Sequence, residues 1–214
     1  MSGIEGARRI NMNYGMPMFS KIEIRDLILS IAALTAAFTI IFRHRTWFSE
    51  DALTNTLWWI LVSFILVMLS FILHEFGHKF TAQRFGAWSE FRMYPLGLAI
   101  CVVVSFFGFL FAAPGAVYIR GYITDKMNGQ ISFAGPAVNL VISAVALTLS
   151  HLIGNNLSGG IFFLLGYMNA FLALFNLLPI PPLDGSKIML WNPAVYVGSL
   201  VAAGLLMVFS MILF

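Results

Sequence analysis

The chain has 214 residues, of which 60% are hydrophobic and only 10% are charged. A soluble domain averages roughly 45–50% apolar residues, counting glycine, and about 25% charged residues, so this composition excludes an ordinary soluble globule. The mean hydropathy of +0.89 and the 21 Phe residues are typical of a polytopic membrane protein. The 12 basic residues against 9 acidic ones include no dense basic run, which favours a lipid surface and argues against a nucleic acid.

Apolar runs with few or no charges predict the membrane-spanning segments. In chain order they are Leu27–Phe42, Thr56–Leu73 with a helical continuation to about Phe85, Phe133–Leu152, Gly160–Leu178 and Val195–Phe214. A signal peptide is the alternative for the first run. The third and fourth runs are separated by the turn-rich sequence Gly-Asn-Asn-Leu-Ser, which predicts an antiparallel helical pair.

A further apolar stretch, Pro95–Ile119, lies between the second and third runs and is interrupted by glycines and a proline. By length it could be a helix, but the turn and β-branched tail at its end favour a re-entrant or sheet-like element. We therefore predict an all-α polytopic membrane protein with about five to six transmembrane helices. A short re-entrant or β-like element should lie between the second helix and the next. Residues 1–26 are predicted to be an N-terminal tail, and residues 27–214 a single membrane-embedded domain with its core at 56–190.

The sequence His74-Glu75-Phe76-Gly77-His78 has the HExxH pattern. On an α-helix the two histidines lie roughly 40° apart and about 6 Å along the axis, so both imidazoles can bind one cation. Glu75 lies on the flank of that face, where it can deprotonate a water without occupying a coordination position. A carboxylate inside the membrane costs roughly 2.5–3.5 kcal/mol, which a divalent cation would offset. The alternative is a buried polar cluster that only bridges helices.

Two histidines require a third protein ligand, with water in the fourth position. Asp184 is the candidate, because it follows the fourth run and lies in the segment Asn176–Gly185, whose three prolines break the helix. Broken helices are tolerated within membranes where they line a polar cavity. A surface turn is the alternative for this segment. The other histidines, His44 and His151, lie at segment ends, where water or headgroups are expected.

Three motifs resemble the site-2 protease group of intramembrane zinc metalloproteases, the M50 peptidases. They are HEFGH at 74–78, GPAVN at 135–139 in an apolar helix, and NLLPIPPLDG at 176–185, which matches the family signature NxxPxPxxDG. They stand in the family's order and bracket about half of the chain. Asn139, in the second motif, is expected to be a helix-packing position.

The resemblance implies that His74, His78 and Asp184 bind one Zn²⁺ and that Glu75 is the general base. It also implies that Asn176 positions the substrate or stabilises the oxyanion. The expected activity is that of an intramembrane zinc metalloendopeptidase acting in regulated intramembrane proteolysis. Such an enzyme hydrolyses peptide bonds within or next to transmembrane segments of membrane proteins.

Two other functional classes stay open on the sequence alone. A metal-ion transporter would carry several intramembrane carboxylates along a path, and a non-catalytic membrane receptor would lack Glu75 or a metal ligand. The expected partners are the lipid bilayer and a transmembrane protein or peptide substrate, without a nucleic acid. The oligomeric state stays open.

The metal site constrains the topology, because Asp184 must reach the side on which the HExxH helix ends. Two crossings separate these residues only if Pro95–Ile119 does not cross. With a cytoplasmic N-terminus, the positive-inside rule then places the active site nearer the cytoplasmic side of the cell membrane. The basic residues on that side are Arg8, Arg9, Lys21, Arg25, Lys79, Arg84, Arg92, Arg120, Lys126 and Lys187, against Arg43 and Arg45 outside.

Overall fold

The computed structural model describes residues 18–43, 52–109, 114–154 and 156–213. Five helices within these ranges are long and apolar enough to cross a membrane: Lys21–Arg43, Asn55–Arg84, Asp125–Ile153, Leu157–Asn176 and Pro193–Ile212. Each of the five predicted segments is thereby confirmed as a helix, although the boundaries differ. Most of the predicted tail, together with His44 and Arg45, lies outside the described residues.

The elements follow one another in a simple order. The chain begins with α1 (Lys21–Arg43), and one continuous helix then comprises α2 (Ala52–Val67), a π-helical turn (Met68–Ile72) and α3 (Leu73–Arg84). Next come β1 (Trp88–Met93), α4 (Pro95–Ser105) and β2 (Gly115–Arg120). The remaining helices are α5 (Asp125–Ile153), α6 (Leu157–Asn176), α7 (Asp184–Trp191) and α8 (Pro193–Leu213).

Helix α5 starts at Asp125, well before the predicted Phe133. The prediction began too late because it followed hydropathy, and the first turns of this helix are polar. The Thr124 side chain caps this start, accepting a hydrogen bond from the Met127 amide at 3.2 Å. The helix ends at Gly154, whose φ of +79° suits glycine. The amphipathic beginning of α5 brings backbone groups to the end of α3.

The stretch between α3 and α5 forms a β-hairpin with a helix inserted at its tip. Strands β1 and β2 pair antiparallel, with Trp88 opposite Arg120 and Met93 opposite Gly115. The pairing returns the chain to the point where it left α3. Helix α4 has 11 residues, about 16 Å, against a hydrocarbon core of about 30 Å. The predicted β-like element is confirmed. Strand β1 was not predicted, because its sequence WSEFRM is short and half of its residues are polar.

Side chains from helices occupy the outer edge of β1. The Glu23 carboxylate accepts a hydrogen bond from the Phe91 amide at 2.9 Å, and Asp26 accepts one from the Met93 amide at 3.3 Å. Lys79 on α3 donates to both carboxylate oxygens of Glu23 at 2.8 Å. This arrangement ties the hairpin to both α1 and α3.

Helix α1 begins at Lys21, six residues before the predicted apolar run Leu27–Phe42. Its first turn carries Glu23, which is fully buried, and Asp26, which is nearly so. Charged residues are typical of an exposed tail, and the burial of these two depends on partners far along the chain.

Cys101 on α4 lies in an apolar cluster with Leu34, Phe38 and Met168. Its side chain is fully buried. Burial raises the pKa of the Cys101 thiol to about 11, so the thiol stays protonated and inert towards aqueous reagents.

This protection makes single-cysteine labelling a direct test of the hairpin's topology. We predict that Arg84→Cys and Tyr122→Cys, at exposed positions flanking the hairpin, react with a membrane-impermeant thiol reagent from the same face of sealed vesicles. Ser158→Cys, exposed at the start of α6, should react only from the opposite face, and the wild-type chain should not react.

The measurement is the labelled fraction in right-side-out and inverted vesicles. Labelling of Tyr122→Cys together with Ser158→Cys, and apart from Arg84→Cys, would mean that the β1–α4–β2 segment crosses the membrane.

Candidate metal centre

The two histidines of the HExxH pattern lie one turn apart on α3 with their rings converging. Their Nε2 atoms are 3.0 Å apart, and the rings are edge to face with centroids separated by 4.6 Å. Both side chains are buried. The helical spacing therefore produces the predicted pair of nitrogens directed at one point.

Asp184 reaches the same point from the first turn of α7. Its Oδ2 lies 3.2 Å from Nε2 of His78 and 3.6 Å from Nε2 of His74. The prolines after α6 turn the chain back, and Gly185 lets α7 start against the end of α6. A Cβ at Gly185 would lie 2.6 Å from the carbonyl oxygen of Leu178.

The electrostatics of Asp184 are set by these neighbours. Burial by itself raises the pKa of the Asp184 carboxyl, but the adjoining imidazoles of His78 and His74 outweigh burial and hold the pKa well below its ordinary value. Lys187, one turn further along α7, places its Nζ 3.9 Å from Oδ1. Asp184 thus offers an anionic oxygen, suited to bind a metal ion, opposite two imidazole nitrogens.

The three residues fit a zinc ion by donor type and by geometry. Their ligand atoms all lie within 4.8 Å of one another, and they are the group of this kind found among the described residues. Two imidazole nitrogens and one carboxylate oxygen are ligands that zinc prefers, and three protein ligands leave a position open, as in catalytic zinc sites. The structure thus brings together the three predicted ligands.

Helix α5 supplies the groups that hold the two rings. Nδ1 of His78 donates to the backbone carbonyl of Ile131 at 2.7 Å, and Nδ1 of His74 lies 2.5 Å from Oδ1 of Asn139. From the sequence, Asn139 was predicted only as a packing position, and Ile131 was not predicted to contact the site. Asn139 belongs to GPAVN, the motif that follows HEFGH along the chain, and this position is the signal that could have identified its contact with His74.

Two glycines allow α3 and α5 to approach so closely. A Cβ at Gly77 would lie 2.8 Å from the backbone oxygen of Ala134, and one at Gly135 would lie 2.7 Å from Nε2 of His74. Gly135 thus leaves the space that the imidazoles occupy. Its place in the GPAVN motif has a steric reason.

The remaining candidate residues line one cavity of about 490 Å³ together with the metal ligands. Glu75 is buried beside the two histidines but is not a member of the ligand cluster. Asn176 is half-buried at the end of α6, and its amide donates to the Leu172 carbonyl at 3.0 Å. Val117 of β2 also faces this cavity.

Comparison with known proteins agrees with this geometry. Residues 153–196, which include the Asn176–Gly185 segment, match Peptidase family M50. The Methanocaldococcus jannaschii protein named "Putative zinc metalloprotease MJ0611" is 37% identical over 184 residues, which are 83% of this chain and 88% of the relative. The chain belongs to peptidase family M50.

A second relative of this M50 peptidase is the Zinc metalloprotease MJ0392 of the same organism. It is 30% identical over 138 residues, 64% of this chain and 35% of the relative. No solved structure gives a significant match. Family membership and the five apolar helices make this chain a multi-pass membrane metalloprotease whose cofactor is zinc.

The contact at Gly135 predicts a specific defect in the M50 peptidase. We expect Gly135→Ala to weaken zinc affinity by about tenfold or more, because overpacking costs about 1–3 kcal/mol and 1.4 kcal/mol is tenfold. Zinc affinity is measured by competition with a chelator.

The control is Gly198→Ala on α8, where an added Cβ meets open space. This variant should leave zinc affinity unchanged, and its free energy of unfolding should stay the same or rise by about 0.5–1 kcal/mol. Zinc affinity equal to wild type in Gly135→Ala would contradict the steric role.

Proposed function

We propose that this chain is an intramembrane zinc endopeptidase of the site-2 protease type. Its substrates would be membrane proteins, cut within or next to their transmembrane segments. The observation that carries the proposal is the position of His74, Glu75 and His78. They lie within the apolar helix Asn55–Arg84, and the cavity beside them is built from other apolar helices.

We assign His74, His78 and Asp184 as the residues that hold the zinc ion. When bound, zinc polarises the scissile carbonyl and makes water a stronger acid. The Glu75 carboxylate accepts the proton of the attacking water and returns it to the leaving amine. Its place beside the ligands, without being one of them, suits this role.

We assign Asn176 the role of positioning the substrate and stabilising the oxyanion. One N–H of its amide bonds the Leu172 carbonyl, and that contact sets the direction of the side chain at the cavity wall. The second N–H can donate to the scissile carbonyl oxygen as negative charge develops there. The exposed prolines between Pro179 and Pro182 provide a route by which water enters.

A transmembrane substrate must unwind, because the peptide bonds of a helix are enclosed by their own hydrogen bonds. The edge of β2 that faces away from β1, which pairs with no other strand among the described residues, offers replacement hydrogen-bonding groups. In an antiparallel pair the N–H and C=O of one residue point to the same side, alternating along the strand. Since Phe91 donates to α1, its partner Val117 turns its backbone groups away from β1. An extended substrate can add there as a third strand.

The transporter alternative is less well supported. Glu23 and Asp26, the carboxylates buried outside the site in the described part of the chain, are bonded to the hairpin and to Lys79, so they do not continue a path from the metal centre. A non-catalytic receptor would have no need for Glu75 beside a complete ligand set.

We place the active site nearer the cytoplasmic side of the cell membrane. Lys79 does not support this orientation, because it is buried in its ion pair with Glu23. Among the described residues, the support comes from four basic residues that lie at helix ends on the side to which the hairpin returns: Lys21, Arg25, Arg84 and Lys126.

The general base can be separated from the metal ligands. We predict that Glu75→Gln lowers the rate of cleavage of a transmembrane peptide by about 10²–10⁴, since the amide cannot accept the proton. Zinc content, measured by metal analysis of the purified protein, should stay at about one per chain.

Asp184→Asn is the matching ligand variant and should lose zinc together with activity, because a neutral amide is a poorer ligand. Equal loss of zinc in both variants would contradict the role given to Glu75, and normal turnover in Asp184→Asn would move the third ligand elsewhere.

Strand addition at β2 predicts the effect of a proline. Val117→Pro removes an N–H that points away from β1, so the hairpin should survive. We expect kcat/KM for a transmembrane peptide to fall by up to about tenfold, since a lost hydrogen bond is worth about 0.5–1.5 kcal/mol.

Val117→Ala keeps the N–H and controls for the side chain, and zinc content should be normal in both variants. If Val117→Pro cleaves as fast as Val117→Ala, the substrate does not pair with this edge.

A further inference from the structure

Three polar side chains form a buried network between the metal-binding helix, α5 and α6. Asn139 and Asn169 are fully buried, and Ser70, in the π-helical turn just before α3, is nearly so. We call these residues the amide network. Buried polar side chains need internal partners, and here the partners lead to His74.

The orientation of the Asn139 amide follows from its contacts. Its Nδ2 lies 3.2 Å from the backbone carbonyl oxygen of Ser70, which can only accept a hydrogen bond. The same Nδ2 donates to Oδ1 of Asn169 at 2.8 Å. The amide oxygen of Asn139 must therefore face His74.

Asn169 has its own independent anchor. Its Nδ2 donates to the backbone carbonyl of Leu165 at 2.8 Å, again a group that can only accept. It also donates to the hydroxyl of Ser70 at 2.8 Å. Both amide groups are thus assigned by backbone oxygens, without reference to the metal centre.

This assignment determines the tautomer of His74. Because Oδ1 of Asn139 can only accept, the Nδ1 of His74, 2.5 Å away, must carry the proton and donate. The lone pair is then on Nε2, the atom that faces His78 and Asp184. The network selects the one neutral form of the ring that can bind a metal at this point.

We propose that Asn139 and Asn169 are positioning residues of the zinc centre. Asn139 holds the ring and tautomer of His74, and Asn169 holds the amide of Asn139. The inference rests on the proposed function, in which His74 is a zinc ligand. It differs from helix packing alone, which would need no particular atom of Asn139 to face the histidine.

Zinc affinity of the purified full chain in detergent, measured with a competing chelator, tests this role without any cleavage assay. Loss of a hydrogen-bond partner to a ligating histidine typically costs 10–100-fold in metal affinity, so we expect Asn139→Leu to fall in this range. Asn139→Asp keeps an acceptor for Nδ1, and its second oxygen, when protonated, can donate to one of the two acceptors that Nδ2 contacts, so this variant should recover part of the affinity. Asn169→Leu should weaken binding by about tenfold, the lower end of the range.

Ser143→Ala is the matched control. Ser143 is fully buried on α5 one turn from Asn139, and its hydroxyl donates to the Gly166 carbonyl of α6 at 2.8 Å. The variant removes an α5–α6 hydrogen bond without touching His74, so zinc affinity should stay within about twofold of wild type.

Wild-type affinity in Asn139→Leu, or equal weakening in Asn139→Leu and Asn139→Asp, would overturn the proposal. If Asn139→Leu does not fold, Asn169→Leu decides, and unchanged affinity there would overturn it too. His74→Ala separates a failure of the ligand assignment from a failure of the role given to the amide network. Unchanged zinc binding in His74→Ala would refute the ligand assignment, whereas strong loss there with none in Asn139→Leu would refute only the role of the network.

Discussion

The close approach of α3 and α5 is the contact on which the metal centre depends. Gly77 and Gly135 remove side chains from the crossing, so the imidazoles of α3 fit against the backbone of α5. At that distance the Ile131 carbonyl and the Asn139 amide reach the two histidine rings. Helix α5 therefore both leaves space for the two imidazoles of α3 and orients them. The remaining ligand, Asp184, comes from α7.

A second constraint comes from polar groups that apolar helices carry into the interior. Lys79, one residue after His78, is buried and is neutralised by Glu23, which also accepts from β1. Removing one partner of a buried ion pair typically costs about 3–5 kcal/mol, because the other charge is left buried without compensation, so Lys79 and Glu23 depend on each other. With β1 occupied in this way, the outer edge of β2, which pairs with no other strand among the described residues, lies beside the metal cavity, where the proposed substrate would bind.

Sequence reasoning found what local periodicity and motif chemistry encode. Helical spacing predicted that His74 and His78 converge, and the proline-broken segment pointed to Asp184 as their partner. Strand β1 and the start of α1 were missed, because burial of Glu23 depends on Lys79 and Phe91, which are distant in sequence. Contacts from Asn139 and Asn169 were missed for the same reason: helical periodicity shows which face is buried but not which side chain on another helix it meets.

The coordination of the ion tests this account most directly. X-ray absorption at the zinc edge, recorded on the purified zinc-loaded chain, counts imidazole ligands and distinguishes oxygen from sulfur neighbours. The account predicts two imidazoles with the remaining neighbours oxygen, from His74, His78 and Asp184, and no sulfur, because Cys101 lies in the apolar cluster with Leu34. A single imidazole or a sulfur neighbour would contradict it.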